Sequence, residues 1–143
     1  MSHWLDTLLK EENQVAIVVG YVATKEGRAA LARAAEEAKL RSTSLVVVNS
    51  ARGGRDLAEH DDVSALETLV SELKADGVEV DLRSLVRGLE PAEDLIAIAE
   101  EINADLIVIG LRRRTPVGKL ILGSNAQRIL LDAPCPVLAV KAD

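Results

Sequence analysis

The chain has no phenylalanine, one tryptophan and one tyrosine in 143 residues. Its core must therefore be built from alanine, valine, leucine and isoleucine. A flavin carrier that stacks its ring on aromatic side chains would have only Trp4 and Tyr21 to offer, which makes that class a poor fit. A single cysteine excludes an intramolecular disulfide and suits a reducing compartment. Cys135 stands between Pro134 and Pro136 and reads as a structural thiol rather than a nucleophile. No apolar run approaches the roughly 20 residues of a membrane span. The opening MSHWLDTLLKEEN lacks the basic region and long apolar core of a signal peptide, so a cytoplasmic protein without a membrane partner is expected. The net charge of −6 argues against nonspecific nucleic-acid binding, with Arg112, Arg113 and Arg114 as a local exception.

Catalytic patterns are missing too. There is no Ser-His-Asp, CxxC or His-x-x-Glu spacing, and His3 and His60 are far apart in polar surroundings. A phosphoacceptor receiver would need clustered acidic residues after its first strand, where this chain has Gly20-Tyr21-Val22. Neither a catalytic residue nor a metal ligand is assigned.

What is present is a repeating pattern. Val15–Val19, Leu45–Val48 and Leu106–Ile109 are short continuous apolar runs, the mark of parallel strands buried on both faces. Val78-Glu-Val-Asp-Leu-Arg83 alternates, as a half-exposed edge strand does. Residues Pro136–Lys141 make a fifth strand. Between them lie helical stripes: Leu31, Ala34, Ala35 and Ala38; Val63, Leu66, Val70 and Leu73; Leu95, Ile98, Ala99 and Ile102, with Pro91 near the start; and Ile129, Leu130 and Ala133 in a helix beginning at Ser124. Strand and helix alternate four times before a last strand, which predicts a single doubly wound, Rossmann-like α/β domain with right-handed crossovers. The domain is expected over 14–143. Residues 1–13 are expected as an extension, a short helix with Trp4, Leu5, Leu8 and Leu9 on one side, and Ala51–Arg55 as a flexible connection.

The stretch from Gly110 to Ser124 carries the functional signal. It leaves an apolar strand, passes through a glycine-containing loop with three arginines and enters a helix. Parallel sheets hold anions in this way, with backbone N–H groups and the helix dipole aimed at the ligand. It is neither G-x-x-x-x-G-K-[ST] nor G-x-G-x-x-G, and Lys119 is followed by Leu120 rather than by Ser or Thr.

These residues resemble the universal stress protein signature G-x2-G-x9-G-[ST]: Gly110 fits the first glycine, and Gly123-Ser124 the closing pair. The tail NAQRILLDAPCPVLAVK resembles the family's helix and last strand, and VAIVVGYVATKEGRAALARA its first strand and helix. The resemblance covers roughly residues 14 to 141. It implies an adenine nucleotide alpha hydrolase-like fold, a five-stranded parallel sheet of order 3-2-1-4-5 and a switch point between strands one and four, where ligands bind. It also implies a homodimer paired through Val137–Val140. In ATP-binding members the motif contacts the phosphates, and an aspartate after strand one contacts the nucleotide. Here Arg113 stands at the second glycine, and Val22-Ala23-Thr24 where Asp-Gly-Ser is common.

The candidate ligand residues are Gly110, Arg112, Arg113, Gly123, Ser124, Asn125, Val48 and Thr24. Several have a plainer reading beside the functional one. Ser124-Asn-Ala-Gln127 is an S-x-x-Q capping box, which would finish a helix without any phosphate. Glycines suit a strand exit and a tight turn before a helix. Alternating arginines in an extended loop cannot all face one ligand, and Arg113 could fill the space a glycine leaves for a triphosphate. Val22 reads as an ordinary apolar strand end, and Val48 as core whose backbone alone could meet a base. The leading expectation is a homodimeric binding module with a degenerate site for ATP, another adenine nucleotide or a phosphate anion. A protein-interacting dimer without nucleotide is the alternative, and a slow ATPase ranks last.

Overall fold

In the computed structural model, residues 16–51, 56–86, 90–111 and 123–142 are described. The strands are β1 (Ile17–Gly20), β2 (Leu45–Ala51), β3 (Val80–Val86), β4 (Leu106–Leu111) and β5 (Val137–Lys141). The helices between them are α1 (Lys25–Arg41), α2 (Asp56–Ala75), α3 (Pro91–Glu101) and α4 (Ser124–Asp132). The sheet is five-stranded, in the order β3-β2-β1-β4-β5, and every pairing is parallel.

The three continuous apolar runs hold the centre because both their faces are covered. Ile17 pairs with Leu45 on one side and Leu106 on the other. Successive side chains point to opposite faces. Ile17, Val19, Leu45, Val47, Leu106 and Val108 therefore meet α1 and α2, while Val18, Val46, Val48, Ile107 and Ile109 meet α3 and α4. With no phenylalanine to fill space, α1 comes close to the sheet on small side chains: Ala30, Ala34, Ala35 and Ala38 are all buried. Burying each larger aliphatic side chain contributes about 1.5–3 kcal/mol, so the many valines, leucines and isoleucines here make a sufficient core.

Several boundaries move. β2 runs to Ala51, beyond the expected Val48, and β3 starts at Val80 rather than Val78. Hydrogen-bonded pairing continues past the apolar run, as far as Ala51 opposite Val86. Leu66 and Val70 of the second stripe are buried as expected, and Leu73 partly so. In α4 only Ile129 is fully buried. Leu130, expected beside it, is 44% exposed, because this short helix turns a narrow stripe to the sheet. Residues 1–13 lie outside the described residues, as do 52–55 of the expected flexible connection.

Candidate functional site at the switch point

β1 and β4 are neighbours, and their outgoing connections part there. α1 crosses one face toward β2, and α4 crosses the other toward β5. The crevice between the two connections is where an open parallel sheet accepts a ligand.

On the β1 side, a tight turn leads into α1. Thr24 is the N-cap, and its Oγ1 accepts from the Gly27 N–H at 3.0 Å. The Thr24 N–H donates to the Val22 carbonyl at 2.7 Å. Gly27 makes this turn possible, since a Cβ there would sit 1.7 Å from the Val22 carbonyl oxygen. No motif in the sequence singled out Gly27. The available signal was a glycine in a helix's first turn, where it is otherwise unfavourable. Val22 is not an ordinary strand end: β1 stops at Gly20, and the Val22 side chain is 59% exposed at the mouth of the crevice. Tyr21 is buried in the core, and its N–H donates to the Val48 carbonyl at 2.9 Å. Val48 is buried as well, packed against the α3 side of the sheet. Its side chain is thus core, and its carbonyl already serves the junction with β1.

On the β4 side, Gly110 lies within the strand, opposite Val140 of β5. A Cβ on Gly110 would lie 2.4 Å from the backbone oxygen of Glu26. This glycine therefore lets the first turn of α1 rest against the end of β4, a packing duty independent of any ligand. Arg112, Arg113 and Arg114 lie outside the described residues, with the rest of the loop through 122.

The capping box does not form. Gly123, in an extended conformation, is the N-cap of α4, and there is no side-chain cap bond. The chain enters the helix one residue earlier than S-x-x-Q requires. The Gln127 N–H meets the Gly123 carbonyl at 3.0 Å, which puts Gln127 one place too far along to complete the box. Ser124 is the first helical residue and is exposed. The N–H groups of Ser124, Asn125 and Ala126 precede that first helical bond, at the positive end of the helix dipole.

Asn125 has a second task. Its Oδ1 accepts from the Ala92 N–H at 3.2 Å. The N-cap of α3, Glu90, makes no side-chain cap bond, so Asn125 caps α3 from outside. Arg128 adds a bond to Glu93 at 2.9 Å, and the two helix N-termini are tied together. In the same first turn of α3, Asp94 is 1% exposed, where the helix dipole favours a carboxylate. Cys135, half-buried, has its thiol pushed up from the ordinary range by burial and, secondarily, by the Asp105 carboxylate. That is the setting of an inert thiol. Among the described residues no group of three His, Cys, Asp or Glu side chains could hold a metal ion, and no helix is long and apolar enough to cross a membrane.

Comparison with known proteins agrees with this geometry. The model of the universal stress protein family matches residues 16–141. A universal stress protein of Mycolicibacterium smegmatis is 44% identical over 126 residues, covering 87% of this chain and 96% of that protein. A solved universal stress protein from Archaeoglobus fulgidus superposes with a TM-score of 0.73 at 42% identity, over 89% of this chain and 98% of that one. A second structure from that organism, in complex with dAMP, gives 0.69 at 37% identity, with the same two coverages of 89% and 98%.

Proposed function

The chain belongs to the universal stress protein family, and from that premise we propose that it is a homodimeric binding module of the stress response whose switch-point crevice takes an adenine nucleotide. The observation that carries the reading is the pair of connections parting between β1 and β4, with the N-terminal amides of α4 at that end of the sheet. The dAMP complex of a relative that shares 37% of its residues supports an adenine nucleotide as the ligand class.

The phosphate would be held by the Ser124 and Asn125 N–H groups, with Arg112 or Arg113 supplying charge. Val22 offers neither charge nor hydrogen bond where ATP-binding members place a carboxylate, and Val48 has its carbonyl engaged. Both points favour a compact, metal-free anion over magnesium-ATP. The role is binding rather than turnover, in the cytoplasm. Calorimetric titration of ATP, ADP, AMP and a cyclic nucleotide into the purified protein tests this. Heat of binding from at least one, reduced by Arg112→Ala, is the expected result. Silence from all four would sink the nucleotide reading.

A second reading, a dimer that serves only protein partners, is favoured by apolar side chains left exposed on β5 and α4. Ala139 is exposed on that edge strand, and Leu131 of α4 is 83% exposed. An unpaired apolar edge invites association. Nucleotide carried through purification would decide against this reading.

A further inference from the structure

Away from the crevice, α1 and α2 leave a groove between them on their outer side. Leu31, Leu69 and Leu73 lie in it, Ala32 and Ala75 flank it, and Arg28, Glu72 and Asp76 stand along its rim. Its volume is about 500 Å³. Leu69 and Leu73 are only partly buried, although both pack against the core, and Ala32 and Ala75 are exposed. Lys39 pairs with Asp76 at one end.

The topology places this groove beside the start of the chain's first strand. α1 packs over β1, β4 and β5, and α2 packs over β3, so the seam between them runs above the β1–β2 side of the sheet. Strands and helices run in opposite senses here. The Asp76 end of the groove therefore lies at the end of the sheet where the chain enters β1. There, the Asp105 N–H donates to the Ala16 carbonyl and the Ile17 N–H to the Ser44 carbonyl. Fifteen residues precede Ala16, and they include Trp4, Leu5, Leu8 and Leu9. As a helix these four would share one face, spaced for a groove between two other helices. Ten helical residues span about 15 Å, some three-fifths of the roughly 25 Å of a helix as long as α1.

We propose that residues 1–13 fold back as an amphipathic turn of helix and seat Trp4, Leu5, Leu8 and Leu9 in the groove between α1 and α2 of their own chain. The floor of the groove is apolar, its Asp76 end lies at the end of the sheet from which the segment departs, and the segment's apolar face matches that floor. Seated there, the segment would shield Leu69 and Leu73 and brace α1, the helix whose first turn forms one wall of the crevice. This docking does not depend on nucleotide binding.

Trp4 is the sole tryptophan of the chain, so its fluorescence reports the seating directly. The full chain should show blue-shifted emission that iodide and acrylamide quench poorly, and that does not change from low to high micromolar protein. Ala32→Glu, at an exposed helical site, should shift the emission to the solvent wavelength while the far-ultraviolet circular dichroism is retained. Leu5→Ser with Leu9→Ser should do the same. Solvent-like Trp4 emission in the unmodified chain would overturn the proposal. So would a shielded Trp4 that ignores Ala32→Glu, which would place the segment elsewhere. Shielding that appears only as concentration rises would assign the groove to a second copy instead.

Discussion

At the residue scale, the glycines sort by what a methyl group would strike. Gly27→Ala meets the Val22 carbonyl at 1.7 Å, and Gly110→Ala meets the Glu26 carbonyl at 2.4 Å. Backbone cannot step aside as a side-chain tip can. Both substitutions should destabilise by at least the roughly 1–3 kcal/mol usual for overpacking. Gly20→Ala meets the end of the Leu95 side chain at 3.2 Å and should cost far less. Urea unfolding of the three variants checks the order, and a Gly27→Ala protein as stable as the parent would contradict it. Cys135 makes a separate prediction. Its thiol titrates above the ordinary 9.0 in the folded chain, so the unfolded chain loses its proton first as pH rises. The stabilisation is intact below that ordinary value and is lost as pH climbs through the folded value. Alkylation should be slow at neutral pH, and Cys135→Ala should flatten the alkaline fall in stability.

At the scale of elements, Thr24 and Asn125 act as caps. Removing an N-cap side chain costs about 1 kcal/mol. Thr24→Ala and Asn125→Ala should each lower the urea midpoint accordingly, whether or not a nucleotide is added. The edge strand calls for care in choosing a probe. Leu138 and Val140 pack against the core, so lysine there would test folding as much as association. Ala139 is exposed, and Ala139→Lys should convert a dimer to a folded monomer in sedimentation. The strands and the buried stripe of α1 were legible because burial on two faces, or on one, writes a period into the sequence. What was not legible were contacts between distant residues. Asn125 caps α3 at Ala92, 33 positions upstream of it, and no local pattern encodes that. The S-x-x-Q pattern misled because a preceding glycine can take the cap position itself.

For the whole molecule, the alternation of strand and helix was enough to read a doubly wound parallel sheet, the strand order came only through the family resemblance, and the position of the crevice follows from that order. The site's chemistry was less legible than its place. Gly110 belongs to a signature associated with phosphate, yet its packing against Glu26 is sufficient reason for a glycine. The resemblance puts Val22 where ATP-binding members carry a carboxylate, and Arg113 where they carry a glycine. Lack of such a partner costs roughly 1.5–3 kcal/mol, or about one to two decades in affinity. Val22→Asp combined with Arg113→Gly should therefore tighten magnesium-ATP binding by about that factor, measured by calorimetry. An unmodified chain that already binds magnesium-ATP at micromolar or tighter Kd, and gains nothing from the double change, would show that these positions do not control the site.

The bond from the Ala92 N–H to Asn125 gives the molecule a built-in reporter. Amide hydrogen exchange at Ala92 depends on a side chain of α4 rather than of the helix Ala92 sits in. A ligand that recruits the Asn125 carboxamide would unlatch that amide and speed its exchange with deuterium. One that uses only the backbone of α4 would leave the exchange as slow as before, so a single resonance can tell the two modes of capture apart.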